Sequence, residues 1–492
     1  MSVLPDKIYA VAGVREIDRM AIEEAGIPGY TLMTRAGAAA VSAAREHFPD
    51  ARRWQIVCGA GNNAGDGYVV ARLAGQEGIA VSVVALVDPG TIKGDAATAY
   101  ADFAAEGGVA TEWAGQLDGE ADLIVDAMLG SGLLRAVDGK FAAAVAAINT
   151  HRAGVVALDI PTGLNGDTGV VKGCAVRADL TVTFVGLKAG LFVEEGPELC
   201  GTIVFASLDV DAACRANSPV LYRRIDADSI GALLPRRRRS AHKGDFGHVL
   251  VVGGGAGMPG AVRLCGEAAL RAGAGRVSVA TDPGHASSIV ASRPELMSHA
   301  ITGIKQFEQL LEKCSVVAFG PGLGRSPWAA ELGARLARDQ RPSVWDADAL
   351  NWLAGSPCQA EQRVLTPHPG EAATLLGTTT AKIQGDRRRA LEQLRQRYGG
   401  VIVLKGSGSL VSAAAGAPWL CTAGNPGMAA AGMGDVLTGV VAALLAQGLA
   451  AEDAAVLGVE VHALAGDRAA KNGERGLLAS DLLAELRGVI NP

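Results

Sequence analysis

A chain of 492 residues, 49% of them hydrophobic and 65 of them glycine, is too long for one ordinary core and too apolar for disorder, so two or three turn-rich globular domains are expected. Its 45 basic and 51 acidic side chains leave a formal charge of -6, which argues against general nucleic-acid affinity. Eight scattered cysteines without a Cys-x-x-Cys pair argue against a zinc site or disulfide framework and fit a reducing cytoplasm, and no run reaches the roughly 18 apolar residues of a membrane span.

In chain order, residues 14–35 carry apolar side chains at helical spacing, broken at Gly26-Ile-Pro-Gly29. Strand-like runs follow at 55–58, 80–87, 123–127, 154–160 and 180–185, each closing in a Gly-, Asp- or Pro-rich turn and alternating with helical stretches. That alternation predicts a parallel sheet covered by helices. Residues 214–245 are polar, Pro-punctuated and Arg-rich, which predicts a boundary and domains of 1–220 and 221–492. The four arginines at 236–239 read as solvated linker rather than a polyanion site. Strand-like runs resume at 248–252, 276–280, 316–319, 343–346, 363–366 and 401–404, with no sequence repeat linking the halves, so two different α/β domains are expected. The apolar stretch 436–445, interrupted by Gly439, reads as a core helix.

Three strand ends in the first half are polar, and in open α/β sheets ligands gather beyond the carboxyl ends of the strands. "CGAGNNAGDG" (58–67) brings Asn62, Asn63 and Asp66 ahead of a helical stretch starting at Tyr68; "VDAMLGSGLLRAV" brings Asp126 and a glycine-rich loop; "ALDIPTGLNGDTG" brings Asp159, Thr162 and Asp167. The glycines of the first loop, with Asp88 closing the next strand, admit a dinucleotide cradle. Asp66 would repel a phosphate there and favours a polar catalytic or cation-binding loop, and a plain turn stays open. Asp126 and Asp159 read as crevice carboxylates or as loop caps. The oxygens of Asn63, Asp126 and Thr162 are hard ligands suited to a monovalent cation or Mg2+.

The motifs "REIDRMAIEEAGIPGYTLMTRAG", "GAGNNAGDG", "VDAMLGSGL", "LDIPTGLNGDTG" and "TVTFVGLKAGL" resemble, in that order and across most of residues 10–210, the NAD(P)HX epimerase family. The resemblance implies a Rossmann-like three-layer domain that binds hydrated nicotinamide dinucleotide through Asn62, Asn63, Ala64, Gly65 and Asp66, and through Gly130, Ser131, Gly132, Leu133, Leu134, Arg135 and Ala136. It implies K+ held by Asn63, Asp126 and Thr162, with Asp159 at the reacting end. Ala64 stands where the family has Gly and Thr162 where it has Ser, which keeps the hydroxyl. Inversion at C6 of the hydrated ring needs a proton donor and acceptor such as Asp159, while Lys188 reads either as its electrostatic aid or as a snorkelling surface lysine.

In the second half, Gly255-x-Gly257-x-x-Gly260 with Asp282 closing the next strand is a weak dinucleotide pattern. Stronger is "GNPGMAAAGMGDVLTG", where Gly432-Met-Gly434-Asp435 opens an apolar helix. Backbone N–H groups there suit a phosphoryl group in transfer, with Asp435 as acceptor of a hydroxyl proton or, alternatively, a helix cap. "VLKGSGSLVS" offers a Gly/Ser turn, "TPHPGE" sets His368 and Glu371 at a strand-to-helix turn, and "GPGLG" offers a backbone-only loop that a flat ring can approach.

Together with "HKGDFGHVLVVGG" and "GMPGA", these motifs resemble the ribokinase-like fold over residues 242–440, and within it the ADP-dependent NAD(P)HX dehydratases. That resemblance implies dinucleotide contacts at Ala261, Gly320 or Gly322, His368 and Asp435, and adenine-nucleotide contacts at Lys405, Gly406, Ser407, Gly408, Ser409 and Gly434. Met433 replaces the usual Ser or Thr between the glycines, and Ser409 a common Thr. The implied whole is an α/β repair enzyme for NADHX and NADPHX, catalytic at Asp159, Lys188 and Asp435. ADP is its phosphoryl donor, Mg2+ accompanies the nucleotide, and the chain forms a cytoplasmic homo-oligomer without nucleic-acid or membrane partners. The rival is a small-molecule kinase fused to a non-catalytic nucleotide-binding module.

Overall fold

The computed structural model describes residues 4–133, 135–225 and 229–491. The chain forms two compact units, Met1–Arg223 and Arg224–Pro492.

The first unit is built on strands β1 (Lys7–Tyr9), β2 (Arg53–Cys58), β3 (Ala80–Ala85), β4 (Ala110–Glu112), β5 (Leu123–Ala127), β6 (Gly154–Leu158), β7 (Leu180–Phe184), β8 (Leu187–Lys188), β9 (Thr202–Ala206) and β10 (Val220–Arg224). Seven of them form a sheet in the order β4-β3-β2-β5-β6-β7-β9, every neighbouring pair parallel. Alternate side chains face opposite ways, so both faces need cover. Trp54, Ile56, Leu123, Val125, Val156 and Leu158 pack under helices Val11–Glu23, Gly29–His47, Asn62–Gln76 and Asp95–Ala105. Val57, Ile124, Val155 and Ala157 pack under Gly139–Thr150 on the other face. Three layers result. Separately, β1 pairs parallel with β8 and antiparallel with β10, which fixes Lys188 at the end of a short strand.

The second unit contains β11 (His248–Val252), β12 (Arg276–Thr281), β13 (Met297–Ala300), β14 (Val316–Phe319), β15 (Ser343–Trp345), β16 (Arg363–Leu365), β17 (Val401–Leu404), β18 (Leu410–Val411) and β19 (Trp419–Leu420). The order β13-β12-β11-β14-β15-β16-β17 is parallel, continued by antiparallel β18 and β19. One face carries helices Pro259–Arg271, Met433–Ala446, Ala451–Ala469 and Ala479–Val489. On the other, Trp345 stacks edge-on between Phe319 and Trp352 of helix Asp348–Gly355.

Helix Met433–Ala446 is buried on nearly every side, which explains its almost uninterrupted apolar sequence. Gly439 is where helix Pro259–Arg271 crosses it: a methyl there would fall inside contact distance of the Cys265 carbonyl and 2.8 Å from Ala268 Cβ. Gly439→Ala therefore overpacks a backbone-to-backbone contact, and is expected to lower unfolding stability by about 1–3 kcal/mol, read from denaturant midpoints.

Candidate active sites

In the first unit, Gly61 (φ +83°) turns the chain directly from β2 into helix Asn62–Gln76. Residues 62–66, expected as a loop ahead of a helix beginning at Tyr68, are instead that helix's first turns. The start depends on a glycine conformation with no side-chain cap, so no Ser/Thr/Asp signature marked it. Asn63 and Asp66 thereby fall three residues apart on one face and, with Asn62, line a cavity of about 940 Å³. Ala64 and Gly65 turn inward and are buried, Gly65 against Met33 and Ala96. Gly130, Ser131, Gly132, Leu133, Arg135 and Ala136 line the same cavity; Leu134 lies outside the described residues.

Asp159 follows β6 with φ +68°, a strained conformation for a residue with a side chain and the kind that marks functional positions. Its Oδ1 accepts from Lys188 Nζ and its Oδ2 from the Ser131 N–H at 3.1 Å. Lys188 is 1% exposed and also donates to Thr183 Oγ1 (3.0 Å) and the Phe184 carbonyl (3.1 Å), so the snorkelling reading of this lysine is overturned. Burial alone would raise the Asp159 carboxyl, but the charge and hydrogen bond of Lys188 and the Ser131 N–H hold it below its ordinary value. Asp66 goes the other way: burial and the charges of Asp159 and Asp18 push it well up.

Asp126, at the end of β5, is fully buried. Its Oδ1 accepts from Thr162 Oγ1 (2.8 Å) and the Met128 N–H (3.2 Å), its Oδ2 from the Thr162 N–H (2.8 Å), and burial still lifts it to about 6. The buried amide of Asn63 has neither its oxygen nor its nitrogen hydrogen-bonded. Among the described residues no three His, Cys, Asp or Glu side chains are grouped to hold a metal, so a cation here would rely on amide and hydroxyl oxygens beside the single carboxylate of Asp126. The Asp88 carboxylate caps the turn Pro89–Thr91 through the Gly90 N–H (2.9 Å), and Asp167 accepts from the Val11 N–H (2.6 Å) at the start of helix Val11–Glu23. Those two acids are used structurally.

In the second unit, Gly432 (φ +86°) starts helix Met433–Ala446, which sets Gly434 and Asp435 in its first turn. Asp346, just past β15, is 2% exposed; Lys405 Nζ pairs with its Oδ1 (2.7 Å) and Thr438 Oγ1 donates to its Oδ2 (3.0 Å). A Cβ on Gly434 would lie 3.1 Å from Asp346 Oδ2 and 3.2 Å from Lys405 Nζ, so the glycine lets the helix start close over this pair. Glu371 Oε2 lies 3.8 Å from the same ammonium. Burial first and the Asp346 charge second raise Asp435 to about 7, with Lys405 opposing. Lys405 itself is raised by these carboxylates against the effect of burial.

The glycine-rich loops close around this point. Gly254 N–H donates to the Pro321 carbonyl (3.0 Å) and Gly255 N–H to Gly322 (2.7 Å), and a Cβ on Gly322 would stand 3.0 Å from Ala261 Cβ. Gly320 and Gly322 both have positive φ, and Asp282 caps its own turn through the Gly284 N–H (2.9 Å). His368 caps helix Pro369–Leu376, its Nδ1 accepting from the Gly370 and Glu371 N–H groups at 3.0 and 3.3 Å. Its ring is exposed, with Nε2 3.5 Å from Glu371 Oε1. Buried Arg387 pins the turn holding Lys405, Gly406, Ser407, Gly408 and Ser409 by donating to the carbonyls of Ser407 (2.6 Å), Leu404 (3.2 Å) and Lys405 (3.4 Å).

Sequence reasoning missed Asp18, Asp346 and Arg387. Asp346 met the criterion that found Asp126 and Asp159, an acid closing an apolar run. Asp18 and Arg387 sit in charged stretches of sequence that carry no local mark of a site. A cavity of about 1260 Å³ in the second unit is lined by none of the residues of the Asp435 cluster. It opens at the amino ends of the strands, where Arg237 lies 3.5 Å over the Phe246 ring and donates to Gly273 O (2.6 Å) and Gln447 Oε1 (2.8 Å).

Residues 29–190 match the family described as YjeF-related protein N-terminus, and residues 249–487 the family described as NAD(P)H-hydrate dehydratase. The chain is 45% identical over 486 residues to the bifunctional NAD(P)H-hydrate repair enzyme Nnr of Coxiella burnetii, covering 99% of both chains. It is 42% identical over 490 residues to that of Escherichia coli, covering 99% of this chain and 95% of the relative. A ribokinase-like superfamily protein of Enterococcus faecalis aligns structurally over 55% of this chain and 95% of its own, with a TM-score of 0.52 and 27% identity.

Proposed function

We propose how the two sites share their work, from the premise that this chain belongs to the family of bifunctional NAD(P)H-hydrate repair enzymes. It repairs hydrated nicotinamide dinucleotides: an epimerase exchanges the 6R and 6S hydrates, and a dehydratase returns the 6S form to NAD(P)H. The observation carrying the assignment of sites is a lysine–aspartate pair with one member buried beyond the parallel strands of each unit, Lys188–Asp159 and Lys405–Asp346.

In the first unit Asp159 exchanges a proton with the substrate, and Lys188 keeps it ionised. The dinucleotide lies along Asn62, Asn63, Asp66 and residues 130–136. K+ suits Asn63, Asp126 and Thr162, because the unpartnered amide of Asn63 and a buried carboxylate without a basic partner are what a monovalent cation satisfies. The ion would supply a fixed positive charge there. In the second unit Asp435 takes the proton of the 6-hydroxyl as that oxygen attacks the β-phosphorus of ADP. AMP departs, and the N1 lone pair expels phosphate from C6; loss of a proton from C5 then restores the C5=C6 double bond, phosphate being a far better leaving group than hydroxide. The Lys405–Ser409 turn and Gly434 hold the nucleotide, and a Mg2+ ion accompanying it would neutralise phosphate charge. Ala261, Gly320, Gly322 and His368 line the place of the hydrated ring.

The test incubates purified protein with mixed NADHX epimers and ADP, ATP or no nucleotide. The expected result with ADP is complete return of 340-nm absorbance in a fast 6S phase and a slower 6R phase. A stable phosphorylated product with no return of absorbance would establish the kinase reading instead.

A further inference from the structure

Helix Val11–Glu23 lies outside the matched segment 29–190, yet Val14, Arg15, Asp18 and Ile22 form one wall of the first unit's cavity. Asp18 is partly buried, makes no ion pair within 4 Å, and faces the opening shared with Asp159 and Lys188. The other charged residues on the cavity are Asp66 from helix Asn62–Gln76, Asp95 from helix Asp95–Ala105, Arg135 and Asp138 from the segment after β5, and Arg15 from the same helix as Asp18. Lys7 of β1 and Arg215 of helix Ala212–Ala216, on elements packed against this helix, do not line it.

Epimerisation by ring opening, at a carbon that bears both a hydroxyl and the ring nitrogen, needs proton transfer at two atoms, and one carboxylate serves one of them at a time. We propose that Asp18 is the second proton-transfer group of the epimerase, donating to ring nitrogen N1 while Asp159 takes the proton of the 6-hydroxyl. This rests on the epimerase reading above. The C6–N1 bond breaks with its electrons going to N1, the O–H electrons form the C6 aldehyde, and rotation about C5–C6 presents the opposite face. Reclosure returns the N1 proton to Asp18 and the Asp159 proton to the new hydroxyl, so both groups end as they began and no redox partner is needed.

The environments of the two acids are set apart as an acid and a base require. Lys188 keeps Asp159 low, whereas burial first, and the Asp159 charge as well, lift Asp18 to about 6 against the pull of Lys188.

The experiment follows 6R/6S exchange in the intact protein without nucleotide, by separating the epimers over time between pH 5 and 8. The wild-type rate is expected to fall as pH rises through about 6, where Asp18 loses its proton. Asp18→Asn should lower kcat about 100-fold or more with KM little changed and should abolish that limb, and Asp18→Glu should restore part of both. Exchange by a folded Asp18→Asn protein at the wild-type rate, with the alkaline limb intact, would overturn the proposal while leaving the epimerase reading standing. If Asp18→Asn does not fold, Asp18→Glu and the wild-type limb decide: no limb near pH 6 and no shift of it in Asp18→Glu also overturn it. Failure of wild type itself to exchange the epimers would reject the epimerase reading, and this proposal with it.

Discussion

Asp435→Asn is expected to reduce dehydration of 6S-NADHX by about 10²–10⁴-fold while leaving nucleotide affinity nearly unchanged, because the substitution removes the proton acceptor and keeps the glycine-framed backbone donors. The pH dependence supplies a second readout. The carboxyl is raised to about 7 by burial and by the Asp346 charge, and it must be ionised to accept a proton, so the wild-type rate should rise as pH increases through about 7. In the Asn protein that limb should vanish, while titration of the nucleotide phosphates is unaltered. Stability should move the opposite way from activity. A folded-state value above the ordinary 3.8 means that the folded protein holds this proton more tightly than the unfolded chain does. The contribution of this carboxyl to stability is greatest below about 3.8 and declines as pH rises towards 7, so at pH 8 the Asn variant should melt no lower than wild type. Steady-state kinetics with ADP, nucleotide titration and melts at pH 5 and 8 check all three. A loss of ADP affinity as large as the loss of rate would count against the proton-acceptor role.

Lys188→Met is expected to abolish the slow, 6R-derived phase of repair and to leave the 6S phase in place. The ammonium is buried and holds Asp159 ionised; without it the carboxylate either stays buried and unpaired, at about 3–5 kcal/mol, or takes up a proton and ceases to act as a base. The sign of the linkage reverses. In wild type Asp159 is lowered, so its stabilisation is present above its unfolded value and is lost only as pH falls through the folded one. In the Met variant burial is opposed only by the Ser131 hydrogen bonds, so the folded value is expected to rise above the unfolded one and stability to fall as pH rises. Melting temperatures from pH 5 to 8 distinguish the two slopes. An unchanged 6R phase would remove Lys188 from the epimerase.

Much of this was legible in order along the chain. Strand runs closing in acids marked Asp126 and Asp159 as candidates, and the Gly-x-Gly-Asp pattern before an apolar helix marked Asp435, because strand ends and helix starts carry local signatures. Residues acting across distance were not legible. Arg387 grips the turn after β17 through three carbonyls, and in sequence it is the first of three arginines on a polar helix. Asp346 meets Lys405 from 59 residues away.

The sequence alone determined the periodicity of strands and helices, the glycines that permit close backbone approach, and the kinds of acid at the strand ends. These follow from local sterics and from the solvation of individual side chains. Only the tertiary structure decided the protonation of those acids, because a carboxylate's charge depends on the distant groups burial brings to it. Asp159 next to Lys188 is held low, whereas Asp18, Asp126 and Asp435 are lifted to about 6 or 7. Folding also made Lys188 a buried partner and turned Asn62 to Asp66 from a loop into the start of a helix.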